Sequence, residues 1–145
     1  MKMPPKEKIL EAYSAIADKR IEMHENSAEV HSSDASKTYL VEWDGDTFAS
    51  SDPATYWQSY PGYPVLAVLL KQGRLPLDEE LIQPMAGIPW KKLNDAHKRD
   101  YAAAAEEAMK DIENKEAVLK LAEEGNRALE TLNLTLKRKL KKKKI

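Results

Sequence analysis

The sequence predicts an α+β fold: an N-terminal helix, a three-stranded antiparallel meander with short helices, and a long C-terminal helix or helical hairpin. Apolar residues recur at three- and four-residue spacing near both ends of the chain, as they do on one face of a helix. Between these regions, residues 38–43 alternate in polarity and lead into Asp44-Gly45, a strong hairpin signal. We therefore predict a small α+β domain at residues 1–92 and a helical extension at residues 93–145.

The first helix is predicted over residues 6–24. Ile9, Tyr13 and Ile16 recur on one face, and the same spacing extends to Ile21. Two prolines precede this segment, where their missing N–H groups cost little.

The meander is predicted from three short segments. Val30 lies in the first strand, residues 38–43 form the second, and residues 47–50 return antiparallel after the turn. Glycine at position 45 suits this turn because it accepts a positive φ.

Residues 51–92 hold six of the eight prolines, so we expect short helices separated by turns. Asp52-Pro53 has the pattern of an N-cap followed by proline at the first helical position. The apolar run at 65–70 is predicted to be a short buried helix, and residues 77–82 another.

From Trp90 onward the chain is predicted to be helical almost to its end, with heptad-like spacing from position 101 to 140. Gly125 weakens the helix interior, so a kink or hairpin near this residue is the alternative to a straight helix. A straight helix would protrude, and its apolar stripe would pair with a second copy of the chain, as in a coiled coil. The apolar residues proposed for this oligomerisation stripe are Ile112, Leu119, Leu129 and Leu136.

Charge is unevenly distributed along the chain. Seven of the 23 basic residues lie in the last nine positions, so residues 1–136 hold 16 basic against 24 acidic side chains, a net charge of −8. A basic tail on an acidic body often contacts a polyanion, although lysines also suit a solvated helix C-terminus. The candidate nucleic-acid contacts are Lys137, Arg138, Lys139, Lys141, Lys142, Lys143 and Lys144.

Several classes of chemistry lack a sequence signal. The chain has no cysteine, which excludes disulfides and thiolate sites. His24, His31 and His97 do not have the spacing of metal ligands, so we expect neither a metal nor another cofactor. No catalytic motif is found, and we expect no enzyme. The absence of a membrane-spanning run or a signal peptide predicts a cytoplasmic protein with no membrane partner.

Seven of the ten aromatic residues lie between positions 39 and 63. They form either a small buried core or a platform on which bases of single-stranded nucleic acid stack. A platform needs exposed rings beside positive charge. The nearby acidic residues in the sequence favour the core.

The segment SKTYLVEWDGD at 36–46, followed by FAS at 48–50 and PGYPVLAVLL at 61–70, resembles the SWIM-type zinc finger family. The resemblance covers about residues 28–70 and implies a short sheet followed by a helix. The family's zinc-ligand positions are occupied by residues that do not bind zinc through their side chains: Phe48, Ser50, Gly62 and Pro64. Four aromatic residues are candidates to fill the space of the metal: Trp43, Phe48, Trp57 and Tyr63.

The resemblance implies a non-catalytic, metal-free binding module that contacts nucleic acid or a protein partner. The alternative is a structural protein that assembles through its long C-terminal helix. The basic tail favours the first hypothesis, and the heptad spacing favours the second.

Overall fold

The computed structural model describes residues 1–139, which form an α+β fold with seven helices and a five-stranded mixed sheet. The helices are α1 (Lys8–Ala17), α2 (Pro53–Gln58), α3 (Tyr63–Lys71), α4 (Glu79–Ile82), α5 (Trp90–Ala96), α6 (Tyr101–Met109) and α7 (Lys115–Thr131), and a 3-10 turn at Gln83–Met85 follows α4. The strands are β1 (Ile21–Met23), β2 (Ser27–His31), β3 (Thr38–Asp44), β4 (Thr47–Ser50) and β5 (Thr135–Lys137). In the part of the chain so described, no helix combines the length and apolar composition needed to cross a membrane.

The predicted hairpin is confirmed: β3 and β4 pair antiparallel around Gly45, which has a φ of +58°. The prediction of three strands was wrong, because the sheet also contains β1 and β5, in the order β1-β2-β3-β4-β5. The first four strands are antiparallel, whereas β5 is parallel to β4 and pairs Leu136 with Phe48.

The predicted N-terminal helix is present, but it ends at Ala17 rather than near residue 24. Lys19 adopts a left-handed φ of +58°, and the N–H of Arg20 donates to the carbonyl of Ala15, which is a Schellman-type ending. Ile21 consequently lies in β1 opposite Val30. The sequence did not indicate that the helix ends here, because lysine occupies the position where glycine is usual.

The core lies between one face of the sheet and the helices. Ala28, Val41 and Phe48 are fully buried on this face, and α3 packs both on the sheet and on α1. The short helix predicted at residues 65–70 is confirmed as α3, and all of its residues from Pro64 to Leu70 are buried. All ten residues of α1 are buried as well.

A C-terminal helix is present as α7, but the prediction of one helix from Trp90 onward was wrong. The chain turns after α5, where Lys98 and Arg99 have positive φ, and it turns again between α6 and α7. The four residues proposed for an oligomerisation stripe are therefore divided among a turn, a helix and a strand. Ile112 lies in the turn before α7, Leu119 and Leu129 lie on α7, and Leu136 lies in β5.

The described part of the predicted helical extension packs back onto the rest of the chain. Helix α7 contacts α1 and α4, Leu129 is fully buried, and β5 completes the sheet. Leu119 remains 39% exposed.

Gly125 allows α7 to approach α1 closely and does not form a kink. It lies inside the continuous helix α7 and is buried. A Cβ atom at this position would overlap with Cδ1 of Ile9, which is itself fully buried on α1. The absence of a side chain at Gly125 thus sets the distance between the two helices.

We predict that Gly125→Leu lowers the free energy of unfolding by about 1–3 kcal/mol, because its side chain must displace Ile9 in a packed interior. Urea denaturation followed by circular dichroism measures this change. Ala117→Leu, at an exposed position of the same helix, should change stability by less than about 0.5 kcal/mol. Equal effects of the two substitutions would contradict the close packing at Gly125.

Candidate functional site

A cavity of about 540 Å³ opens between α1, β3, α2 and α5. This volume lies within the range of about 300–1,000 Å³ that is typical of small-molecule sites. Six of the side chains in its wall are aromatic. The rings that line it are those of Tyr39, Trp57, Tyr60, Tyr63, Trp90 and Tyr101.

A buried ion pair on α1 forms part of the cavity wall. The Nζ atom of Lys8 lies 3.1 Å from Oε2 of Glu11, and the two residues are only 8% and 5% exposed. Asn94 on α5 donates from Nδ2 to Oε1 of Glu11 at 3.2 Å, and the Lys8 ammonium lies 3.9 Å from the ring centre of Tyr101. Lysine and glutamate three positions apart on a helix share one face, which places both charges at the cavity.

Burial changes the protonation chemistry of this wall. Desolvation raises the pKa of Glu11, and the nearby Lys8 charge opposes that rise. Desolvation also raises the pKa values of the phenols of Tyr39, Tyr60 and Tyr63. Perturbed pKa values that cluster in one cleft mark a candidate functional site.

The aromatic wall around α2 is positioned by Asp52. Its carboxylate caps α2 by accepting a hydrogen bond from the N–H of Thr55 at 3.0 Å, which confirms the predicted N-cap. The hydroxyl of Thr55 in turn accepts from the N–H of Gly62 at 3.0 Å. A Cβ atom at position 62 would overlap with the Asp52 carboxylate. Glycine therefore lets the chain pass close to this cap before Tyr63 begins α3.

Both basic and acidic side chains line the cavity. Arg20 is engaged with Asp18 and with the carbonyl of His31, and Lys91 lies 3.9 Å from Asp34 and from Asp95. Within residues 1–139, Arg99 makes no ion pair. The lining contains four basic and three acidic side chains, so it carries a small positive charge on an acidic body.

A second surface lies beside the cavity, at the edge of the sheet. The guanidinium of Arg138 is 5.4 Å from the ring centre of Tyr56 and 5.3 Å from that of Trp57. Lys137 and Lys139 are exposed on either side of it. We call these five residues the aromatic–basic edge. Trp57 is 64% exposed, and besides belonging to this edge it also lines the cavity.

The structure separates the four aromatic residues that were expected to replace a metal. Phe48 is fully buried, and Trp43 packs against it with ring centres 6.0 Å apart. Tyr63 packs edge-on against Tyr39 at 6.2 Å and faces the cavity. The expectation of a buried Trp57 was wrong, because α2 holds this ring on its exposed side.

The structure brings three of the candidate nucleic-acid contacts together, namely Lys137, Arg138 and Lys139. Lys141, Lys142, Lys143 and Lys144 lie outside the described residues. Sequence reasoning missed the ion pair of Lys8 and Glu11, although a lysine and a glutamate three positions apart on a predicted apolar helix are a usable signal for it. It also missed Arg99, for which the sequence has no signal.

Among residues 1–139, one group of side chains has ligand atoms close enough together to hold a metal ion: Glu22, His24 and Glu29, within 4.8 Å of one another. They lie on the β1–β2 hairpin, where Glu22 is paired with Glu29 across the strands. The group is largely exposed, and the His24 imidazole lies 3.7 Å from the Glu29 carboxylate. Strand pairing and this surface contact account for the arrangement. His31 and His97 lie elsewhere and contact Thr38 and Glu107.

We predict that Lys8→Met lowers the free energy of unfolding at pH 7 by about 3–5 kcal/mol, because it leaves the Glu11 carboxylate buried without a partner. The double variant Lys8→Met/Glu11→Gln should recover most of this loss, since no unpaired charge then remains. Urea denaturation at pH 7 and pH 5 measures both effects.

The free energy of unfolding lost in Lys8→Met should depend on pH in a known direction. Burial raises the pKa of Glu11 above its ordinary value of about 4.5, so the folded state binds the proton more readily than the unfolded state. The loss in Lys8→Met should therefore shrink as the pH falls toward that value. Lys120→Met, on the exposed side of α7, is the control. A loss of the same size at both pH values would contradict a buried Glu11 charge.

Comparison with known proteins corrects the resemblance to the SWIM-type zinc finger. No model of that family matches the chain, and β3, β4 and α3 reproduce only its local order of strand, turn, strand and helix. No curated protein and no solved structure matches the chain. A family model described as uncharacterised conserved protein UCP014422 matches the chain over residues 1–137. The chain therefore belongs to this family.

Proposed function

We propose that the protein is a non-catalytic binding module that takes up single-stranded nucleic acid along the aromatic–basic edge. The observation that carries this proposal is the position of Arg138, whose guanidinium lies between 5 and 6 Å from the rings of both Tyr56 and Trp57. A stacking platform for bases needs an exposed ring beside positive charge. Both features meet at this edge.

The exposed Trp57 supports the stacking part of the proposal. Its ring is 64% exposed, although full burial of a tryptophan side chain would stabilise the fold. Every base has a flat face that can stack on such a ring, and unpaired bases reach it most easily. We therefore favour a single strand over a duplex.

The basic residues support the phosphate part. Lys137 is the last residue of β5 and pairs with Ala49 of β4. Arg138 and Lys139 follow it with exposed side chains. Lysine and arginine bind phosphates largely through counterion release, which makes the affinity fall with salt. Glu42 lines the same surface groove as Trp57 and Arg138. Its negative charge repels phosphates and so limits how far a nucleic-acid strand extends across the open face of the sheet.

We expect a fluorescein-labelled oligo-dT of about 20 nucleotides, longer than the footprint of common single-strand binding folds, to bind at about 50 mM salt and to dissociate as salt rises. Fluorescence anisotropy measures the affinity. Trp57→Ala should weaken binding about five- to hundredfold, because one stacked base is lost. Arg138→Ala should lower the salt dependence by about one counterion.

Lys120→Ala removes one exposed positive charge from α7 and is the matched control for Arg138→Ala. It should leave the affinity and the salt dependence unchanged. The nucleic-acid proposal is wrong if the oligonucleotide does not bind at about 50 mM salt. A protein partner at the same edge would then be the remaining form of the binding-module hypothesis.

A second function, self-association, is favoured by one observation: Leu119 is 39% exposed in a groove between α1, α6 and α7. Leu10 and Met109 contribute to the apolar floor of this groove, which has a volume of about 630 Å³. Its rim carries side chains of both signs, among them Lys115 and Glu123. A second copy of the chain can complement such a rim by placing opposite charges against it.

If the chain self-associates through this groove, light scattering should show a mass that rises from that of a monomer to that of a dimer as the protein concentration increases. Leu119→Lys should abolish the rise, because a lysine at the centre of the contact buries a charge. Lys110→Ala, at an exposed position after α6, should leave the mass unchanged. A concentration-independent monomer would rule out assembly through this groove.

A further inference from the structure

The cavity and the aromatic–basic edge share one wall. Trp57 borders the cavity through its position on α2 and lines the groove that contains Arg138 and Lys139. A strand that stacks on Trp57 therefore passes the mouth of the cavity.

The shape and composition of the cavity suit a flat, polar ring. Its volume of about 540 Å³ is in the range of sites that hold a whole small ligand. Tyr39 and Tyr63 stand edge to face in its wall, and Trp90 is held in place by a hydrogen bond from Nε1 to the hydroxyl of Ser14 at 2.8 Å. Trp90 is only 3% exposed and supports the wall from behind, whereas the half-buried rings of Tyr39 and Tyr63 are accessible for a planar base to stack on.

The polar part of the wall supplies hydrogen-bonding groups of both kinds. Lys8 has three N–H donors, and Glu11 has carboxylate oxygens that accept. Both are fixed by their mutual ion pair, and Asn94 holds Glu11 from α5. A nucleobase has hydrogen-bond donors and acceptors along its edge. Lys8 and Glu11 can therefore bind the polar edge of a base, which an apolar pocket would leave without hydrogen bonds.

Arg99, which lines the cavity, is the candidate to bind a phosphate. Arg99 follows Lys98, and both residues adopt left-handed backbone conformations, with φ of +67° and +52°. Such conformations are unfavourable for residues with a side chain, and they are often found where a functional group must be positioned. The side chain of Arg99 lies on the cavity lining, as do those of Lys91 and Asp95.

We propose that this cavity is a nucleotide-binding site, with the base between the aromatic walls near Lys8 and Glu11 and the phosphate at Arg99. It extends the proposed function, on which it rests, because it assigns one nucleotide of a bound strand to the cavity. A free mononucleotide contains the same two groups, so it should occupy the site by itself.

The test is isothermal titration calorimetry of the full chain with adenosine 5′-monophosphate, adenosine and inorganic phosphate. We expect the mononucleotide to bind more tightly than either fragment, because only it engages both the rings and Arg99. Arg99→Ala should weaken mononucleotide binding about tenfold or more, as for the loss of a charge-assisted hydrogen bond. It should leave adenosine binding unchanged, and Arg99→Lys should restore part of the affinity for the mononucleotide.

Arg127→Ala, an exposed arginine on α7, is the matched control and should have no effect. Circular dichroism of each variant checks that it is folded. The cavity assignment is overturned if the mononucleotide does not bind, or if Arg99→Ala weakens adenosine and the mononucleotide equally.

The two proposals fail in different ways. If oligo-dT binds through Trp57 and Arg138 but the mononucleotide does not bind, the cavity assignment is wrong and the aromatic–basic edge stands. If the mononucleotide binds through Arg99 but oligo-dT does not bind, the cavity assignment stands and the strand-binding function is wrong.

Discussion

The burial of α1 along its whole length is the constraint on which the rest of the structure depends. Helix α3 packs on one side of it, α4 and the 3-10 turn on another, and α7 approaches it at Gly125. A helix surrounded in this way cannot keep charged residues in water, so Lys8 and Glu11 must pair with each other. The burial of α1 therefore also accounts for the fixed ion pair at the cavity.

How much the sequence predicts depends on whether an element is specified locally. The turn at Gly45 and the cap at Asp52 were predictable because each needs a residue type at a fixed position. Strand β5 was not, since its three residues pair with β4, which is far away in the sequence. The end of α1 was also not predictable, because Lys19 adopts a left-handed backbone conformation for which glycine, not lysine, is the usual residue.

The candidate site was predictable only in its parts. Composition showed both the basic tail and the cluster of aromatic residues, but the charges near those rings in the sequence are acidic. The cation that lies over Trp57 is Arg138, which comes from the other end of the chain and follows β5. Heptad spacing misled for a related reason: α6 and α7 share one apolar pattern but are separated by a turn, and the pattern serves packing within the chain.

The parallel pairing of β5 has a consequence for the order in which the protein folds during synthesis. Phe48 pairs with Leu136, a residue translated 88 positions later. Until then the outer edge of β4 has no neighbour, and an unpaired strand edge invites association with other chains. A ribosome that stalls or terminates before this point releases a chain with an incomplete sheet. The surface to which we assign binding therefore cannot assemble before β5 and Arg138 have been translated.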